Sequence, residues 1–115
     1  MAIKTEKRPW GEFIQFTLNE PSTVKLIVVN PNQELSLQYH NKRRELWRIL
    51  SGNPILTVGD KVIEGRVGDE IDVPQGAKHR IKSQDLKVEI LEISLGEFDE
   101  EDIVRLEDKY GRAKK

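Results

Sequence analysis

Short apolar runs alternate with turn residues along the whole chain. Runs rich in Val, Ile and Leu, such as TVKLIVV, ELSLQY and LKVEILEISL, are separated by Pro, Gly, Asn and Asp. Many short strands at close spacing are typical of an all-β sandwich or barrel. The pattern therefore predicts an all-β fold that forms a single domain over residues 1–115.

One stretch near the C-terminus departs from this pattern. In FDEEDIVRLEDKYGR, Asp99 is placed to cap a helix, and the next three residues, Glu100 to Asp102, are acidic. Carboxylates in the first turn interact favourably with the helix dipole. We therefore expect a short C-terminal helical segment.

The charge balance excludes several classes of function. The chain has 19 Lys and Arg against 20 Asp and Glu, a formal net charge of −1, so no field of one sign recruits nucleic acid or a membrane. It has no cysteine, which excludes disulfides and thiolate chemistry. Charged residues near Met1 leave no apolar signal region, and no run is long enough to span a bilayer. We expect a cytoplasmic protein with no nucleic-acid or membrane partner.

Polar residues occur where neighbouring residues predict an interior. Side chains alternate along a strand, so Gln38 and His40 share one face. In the next strand Glu45 shares its face with Trp47 and Ile49. A buried carboxylate beside an imidazole is costly without a partner, whereas a bound cation satisfies both.

A second histidine supports this interpretation. His79 follows a tight turn containing Pro74 and Gly76, which delivers it to the start of another strand, and His40 is the only other histidine in the chain. We interpret these side chains and Glu45 as a metal site. The alternative is a polar cluster at a barrel mouth whose members satisfy one another.

Two sequence blocks resemble the two motifs of the cupin superfamily. The first, about residues 35–52, ends at Gly52 and has glutamine in place of the usual first ligand histidine; the second, about residues 68–83, has Ser83 in place of the usual asparagine. The resemblance implies a cupin-type antiparallel β-barrel, also called a double-stranded β-helix or jelly roll. It also implies one divalent metal ion, compatible with zinc, manganese, cobalt, nickel or iron. The ligands it implies are Gln38, His40, Glu45 and His79.

A narrower similarity covers most of the chain, from Arg8 to Arg112. The segments RPWG, LSLQYH, ELW, VPQGAKHR and GEFDEEDIVRLEDKYGR resemble the type II mannose-6-phosphate isomerase domain. That domain usually forms the C-terminal part of bifunctional mannose-1-phosphate guanylyltransferase and mannose-6-phosphate isomerase enzymes. The similarity implies interconversion of mannose-6-phosphate and fructose-6-phosphate through an enediol. Because no nucleotide-transferring domain or Gly-rich phosphate loop is found, we expect a free-standing isomerase.

The resemblance also implies roles for basic residues. Lys42 is a candidate catalytic base, as is Glu45 if it is not fully engaged by the metal. Arg43 matches an arginine of the family's motif and is placed to stabilise charge on the substrate. Lys78 and Arg80 flank the second histidine and are candidates to bind the phosphate. The alternative for Lys42 and Arg43 is a solvated turn.

Two other functions fit the same scaffold. Asn41 and Lys42 stand where the isomerase family has histidines, which favours a non-catalytic cupin that binds a metal or a sugar. Another metal-dependent cupin enzyme, such as an oxygenase, would keep the metal and change the substrate. In each case we expect a small-molecule partner, a sugar phosphate for the isomerase. We also expect a homodimer, since many cupins cover their exposed edge strands in that way.

Overall fold

The computed structural model describes residues 4–111, and within that range it contains strands and turns but no helix. Residues 1–3 and 112–115, including Arg112 at the end of the predicted helical stretch, lie outside the described residues. The strands are β1 (Lys4–Arg8), β2 (Gly11–Gln15), β3 (Ser22–Val29), β4 (Leu37–Tyr39), β5 (Arg43–Ser51), β6 (Ile55–Val58), β7 (Lys61–Glu64), β8 (Glu70–Val73), β9 (His79–Lys82), β10 (Val88–Gly96) and β11 (Val104–Glu107).

The strands form two main sheets in which every pair is antiparallel. One sheet has the order β3-β10-β5-β8 and the other the order β11-β4-β9-β6-β7, while β1 and β2 form a separate hairpin. The core lies between the two sheets, because its buried side chains come from both. The prediction of an all-β antiparallel fold is confirmed. The largest of the core side chains are Trp47, Ile49, Leu56, Ile81 and Ile90.

Strand β5 presents the predicted interior face. Glu45, Trp47 and Ile49 alternate along it and are each about 1% exposed. The strand begins at Arg43, which lies on the same face as Glu45 and is also buried. A basic residue assigned to a turn is therefore part of the interior.

The glycine that ends the first motif is required by the backbone. Gly52 has a φ of 86°, and a Cβ built on it would lie 2.5 Å from the carbonyl oxygen of Lys87. Only glycine combines this φ with so close an approach of two backbones. Ser83, at the departure in the second motif, makes a loop contact: its hydroxyl donates to the carbonyl oxygens of Asn30, at 2.6 Å, and Gln33, at 3.0 Å.

The predicted C-terminal helix is wrong. The Asp99 carboxylate accepts a hydrogen bond from the N–H of Glu101, as a helix cap would, but the chain makes only a turn there. It then becomes extended as β11, which pairs with β4. The Asp102 carboxylate accepts the N–H groups of Asn41 and Lys42, which holds the chain against the start of β5. Pairing with a distant strand therefore outweighs a local capping signal.

Strand β3 forms one edge of the four-stranded sheet. Its outward face carries exposed apolar side chains, with Val24 57%, Leu26 54% and Val28 49% exposed. An apolar edge strand is a surface to which another strand can add. Within residues 4–111, no helix has the length and apolar character needed to cross a membrane.

Candidate metal centre

Three side chains from different strands converge inside one end of the barrel. The potential ligand atoms of His40, Glu45 and His79 all lie within 4.8 Å of one another, and all three residues are at least nine-tenths buried. Nε2 of His40 is 3.3 Å from Oε2 of Glu45, and Nε2 of His79 is 3.8 Å from Oε1 of the same carboxylate. Three of the four residues predicted as ligands, His40, Glu45 and His79, thus lie together.

Backbone carbonyl groups orient both imidazoles. Nδ1 of His40 lies 2.6 Å from the carbonyl oxygen of Asp102, and Nδ1 of His79 lies 2.9 Å from that of Ala77. A carbonyl oxygen only accepts, so each Nδ1 carries a proton, and Nε2 is the ring nitrogen that faces Glu45 in both residues. Nε2 of His79 has no hydrogen-bond partner among the described residues. Histidines held in this way, around a carboxylate, fit a divalent metal ion.

Gln38 lies on the same face as the cluster. It is directly opposite His79 in the pairing of β4 with β9, and residues directly opposite each other project from the same side of a sheet. Its amide oxygen accepts a hydrogen bond of 3.2 Å from Ser36. Gln38 is therefore a neighbour of His79 across the strand pair, and its role as a ligand stays a prediction.

Arg43 lies within the cluster, whereas Lys42 does not. Nη2 of Arg43 is 3.2 Å from Nε2 of His40, and its Nε is 3.4 Å from Oε2 of Glu45. The side chain of Lys42 is 51% exposed, with its Nζ 4.0 Å from the Glu97 carboxylate at the surface. Of the two basic residues predicted to be catalytic, the structure brings only Arg43 to the predicted ligands.

The two predicted phosphate-binding residues are not joined to the cluster. Arg80 follows His79 in β9, so its side chain leaves from the other face, where it donates to the Leu35 carbonyl oxygen at 3.1 Å and pairs with Glu107 at 3.3 Å. Lys78 is exposed, between the Gln75–Gly76 turn and the start of β9. The hydrogen bonds and ion pairs within residues 4–111 do not connect the Lys78 side chain to the cluster.

The electrostatics of the cluster favour an ionised Glu45 carboxylate and disfavour a charged His79 imidazole. Burial raises the pKa of Glu45, but the interactions of its carboxylate with His40, His79 and Trp47 outweigh it and hold the pKa at about 2. The indole N–H of Trp47 donates to the same carboxylate at 3.0 Å. Burial lowers the pKa of His79, and the charge of Glu45 only partly opposes this. A carboxylate anion and a neutral imidazole are the protonation states that bind a metal ion.

Glu92 and Ser94 were not identified from the sequence. Glu92 is 7% exposed on β10, and its carboxyl group contacts that of Glu45; burial and this neighbouring charge raise its pKa to about 7. Ser94 is paired directly with Glu45, and its buried hydroxyl has no hydrogen-bond partner among the described residues. The alternation of LKVEILEISL places Ile90, Glu92 and Ser94 on one face, which is the signal that was available.

The segment between β10 and β11, residues 97–102, closes this end of the barrel, and we call it the strap. Its Phe98 ring lies between two cations, 4.6 Å from Nζ of Lys25 and 4.5 Å from the guanidinium carbon of Arg43. Its Asp102 carboxylate accepts the N–H groups of Asn41 and Lys42, which lower its pKa. The strap thus contacts both Arg43 in the site and the backbone of the turn before β5.

Comparison with known proteins identifies relatives over most of the chain. A family model described as the C-terminal domain of mannose-6-phosphate isomerase matches residues 2–108. The xanthan biosynthesis protein XanB of Xanthomonas campestris pv. campestris is 39% identical over 107 residues, 91% of this chain and 23% of that protein. Mannose-1-phosphate guanylyltransferase 2 of Escherichia coli O157:H7 is 35% identical over 105 residues, 90% of this chain and 22% of that protein. The chain therefore spans less than a quarter of the length of these relatives.

Solved structures share the fold. A cupin-2 domain protein from Rhodospirillum rubrum superposes with a TM-score of 0.63 at 22% identity, covering 76% of this chain and 64% of that one. The capsular polysaccharide assembling protein CapF from Staphylococcus aureus superposes with a TM-score of 0.65 at 20% identity, covering 90% of this chain and 34% of that one. The barrel is a cupin fold, as the motifs predicted. Together with the family match, this establishes that the chain belongs to the C-terminal domain family of mannose-6-phosphate isomerase.

Proposed function

We propose that this domain is a metal-dependent isomerase that interconverts mannose-6-phosphate and fructose-6-phosphate. The observation that carries the proposal is the pair of buried imidazoles whose Nε2 atoms flank the Glu45 carboxylate. It occurs in a domain of the mannose-6-phosphate isomerase family. We also propose that the protein acts in the cytoplasm on this small-molecule substrate.

The metal would be held by the two histidines, the carboxylate and the amide oxygen of Gln38. When bound, it supplies a Lewis acid that stabilises negative charge on the substrate's oxygens. The set of imidazole, carboxylate and amide ligands is compatible with zinc, manganese, cobalt, nickel or iron. The proposed ligands are Gln38, His40, Glu45 and His79.

The chain's own residues supply the remaining functions. Arg43 is a permanent cation beside the proposed ligands, so it can donate to a substrate oxygen that gains charge in the enediol. For the phosphate group we keep Lys78 as a candidate. Arg80 is engaged by Glu107 and the Leu35 carbonyl oxygen on the opposite face, so we do not give it this role.

Metal content tests the site. We expect about one equivalent of a divalent metal in the purified protein, measured by elemental analysis, and its loss in His79→Ala. Arg80→Ala is the matched control, since it alters the next residue of β9 but the other face. Metal content that His79→Ala leaves unchanged would exclude His79 as a ligand.

Turnover tests the reaction. Mannose-6-phosphate is incubated with the metal-free protein reconstituted with each of the five metals in turn, and fructose-6-phosphate is followed by NMR. We expect conversion with at least one metal and none after chelation. Absence of conversion with every metal, in protein that binds metal, would refute the isomerase.

A non-catalytic binding module is the second candidate. It is favoured by the closure of the site, because every proposed histidine and carboxylate ligand is buried, and Arg43 and the strap cover this end of the barrel. The module predicts that sugar phosphate or metal binds, by calorimetry, without conversion. The turnover experiment therefore separates the two candidates.

We further propose that the protein is a homodimer. The support is the exposed apolar face of β3, an eight-residue strand at the edge of its sheet. A second copy that covers this face would remove both apolar surface and an open strand edge from water.

A further inference from the structure

Glu92 is a buried acid that neither serves as a proposed ligand nor anchors the backbone. Within residues 4–111 the buried acidic side chains are Glu45, Glu92 and Asp102. Glu45 lies between the two histidines, and Asp102 holds the two N–H groups before β5. Glu92 is left without either role, at the edge of the cluster.

The register of β10 places Glu92 beside the proposed ligands. In the pairing with β5, Ser94 is opposite Glu45 and Glu92 is opposite Trp47, so the two β10 residues occupy successive inward positions along the cluster. In the pairing with β3, Glu92 is opposite Lys25. The side chain of Glu92 therefore leaves β10 on the inner wall, where it is 7% exposed, one inward position along from the Ser94–Glu45 pair.

Ser94 leaves a hydrogen-bond donor available on this wall. The residue is 1% exposed and its hydroxyl has no partner among the described residues. A buried hydroxyl left unpaired costs about 1–3 kcal/mol, so we expect it to pair with a water molecule or with a ligand oxygen. An oxygen of a substrate held at the neighbouring cluster would satisfy it.

The proposed reaction needs one group that carries a proton between two adjacent carbons. Lys42 extends into solvent, and Glu45 is committed as a ligand if the proposed function holds. We propose that Glu92 is this catalytic acid–base group and that the Ser94 hydroxyl donates to a substrate oxygen. The assignment rests on the proposed isomerase function.

The step is balanced without a further reactant. Starting from open-chain mannose-6-phosphate, the Glu92 carboxylate takes the proton from C2, the C–H electron pair forms the C1–C2 double bond, and the carbonyl pair moves to O1. The O2 hydroxyl proton passes to O1, and the carbonyl group then forms at C2. The C1–C2 pair takes the proton back from Glu92 at C1, which yields fructose-6-phosphate and the starting carboxylate.

Glu92→Gln tests the assignment because the amide can still donate a hydrogen bond to Glu45 but cannot accept a proton from carbon. We expect unchanged metal content, retained binding of mannose-6-phosphate by calorimetry, and turnover reduced by about 10²-fold to 10⁴-fold. Exchange of the C2 proton with deuterium from solvent, followed by NMR, should fall in parallel. The control is Glu89→Gln, the same change on the same strand, at a residue that accepts a hydrogen bond from Ser51.

The outcomes separate this assignment from the proposed function. An active wild type with an equally active Glu92→Gln variant would overturn the role of Glu92 and leave the isomerase intact. Loss of metal in Glu92→Gln would also overturn it, since the residue would then act by positioning Glu45. A wild type that binds metal but neither turns over nor exchanges the C2 proton would refute both.

Discussion

The guanidinium of Arg43 is directed at the same lone pairs of His40 that the proposed metal would use. Its Nη2 is 3.2 Å from Nε2 of His40, and its Nε is 3.4 Å from Oε2 of Glu45. Because Nδ1 of His40 carries the proton, Nε2 accepts a hydrogen bond from the guanidinium. Arg43 thus serves as an internal cation that offsets the buried carboxylate, and a metal ion must displace it or bind beside its charge.

Removing this charge should tighten metal binding. Two unit charges about 5 Å apart repel by roughly 3 kcal/mol at an effective dielectric constant of 20, so we expect Arg43→Met to raise metal affinity by about 10-fold or more. Competition of the metal-free protein with a chromophoric chelator measures it. Arg44→Met is the matched control, because that side chain is exposed and pairs with Asp72 at 3.7 Å on the other face of β5. A lower metal affinity in Arg43→Met would show that the Arg43 guanidinium does not compete with the metal ion for this site.

Asp102 should contribute strongly to stability through the strap. Its carboxylate accepts two backbone N–H groups, each at 2.9 Å, from Asn41 and Lys42. Hydrogen bonds to a charged acceptor contribute about 1.5–3 kcal/mol each, so Asp102→Ala, which removes two, should lower the free energy of unfolding by roughly 3 kcal/mol or more. Urea denaturation measures it, with exposed Glu101→Ala in the same strap as the control. Equal losses in the two variants would refute the anchoring role.

The same hydrogen bonds predict that the stability contributed by Asp102 depends on pH. The N–H groups of Asn41 and Lys42 hold the pKa of Asp102 below its ordinary value of 3.8. A carboxylate whose pKa is lowered by folding stabilises the protein above its unfolded pKa, and this is lost as the pH falls through the folded value. The difference in unfolding free energy between wild type and Asp102→Ala should thus be constant from about pH 7 to about pH 5 and shrink below about pH 4. A difference that grows on acidification would contradict the assignment.

Two motif glycines should differ in their tolerance of a side chain. Gly52 has a φ of 86°, with the Lys87 carbonyl oxygen 2.5 Å from a built Cβ, whereas Gly76 has a φ of 80° and open space around it. Gly76→Ala should cost about 1 kcal/mol for backbone strain alone. Gly52→Ala adds a clash with backbone, so we expect a loss of about 2 kcal/mol or more by urea denaturation. Equal losses of unfolding free energy in the two variants would show that the backbone at Lys87 moves away from the new Cβ at no cost.

The sequence predicted those parts of the site that follow from the alternation of side chains along a strand or from the spacing of the two cupin motifs. Alternation placed Glu45 on the face of Trp47, and the motif spacing brought His79 to it from a distant strand. The same alternation, applied to β9, places Arg80 on the face opposite His79. Alternation sorts the side chains of a strand onto two faces, but it does not tell which face is buried. Glu92 was missed for that reason.

The C-terminal error has a different physical cause. The residues from Asp99 onward carry genuine capping chemistry, and the Asp99 side chain does accept a local N–H. A helix forms there only if no strand pairing competes with it, and Val104–Glu107 pairs with the edge of β4 instead. A partner more than 60 residues away cannot be read from a local pattern.

The apolar face of β3 predicts the state of association. Because Val24, Leu26 and Val28 project from one side of an edge strand, we expect light scattering after size exclusion to give a mass of two chains of 13.3 kDa. Leu26→Glu places a charge in the middle of that face and should shift the protein to the monomer, since burying an unpaired carboxylate is costly. The control is Val62→Glu on β7, at a residue 71% exposed on an edge strand of the other sheet. A monomeric wild type, or a dimer that Leu26→Glu leaves intact, would show that β3 is not the interface.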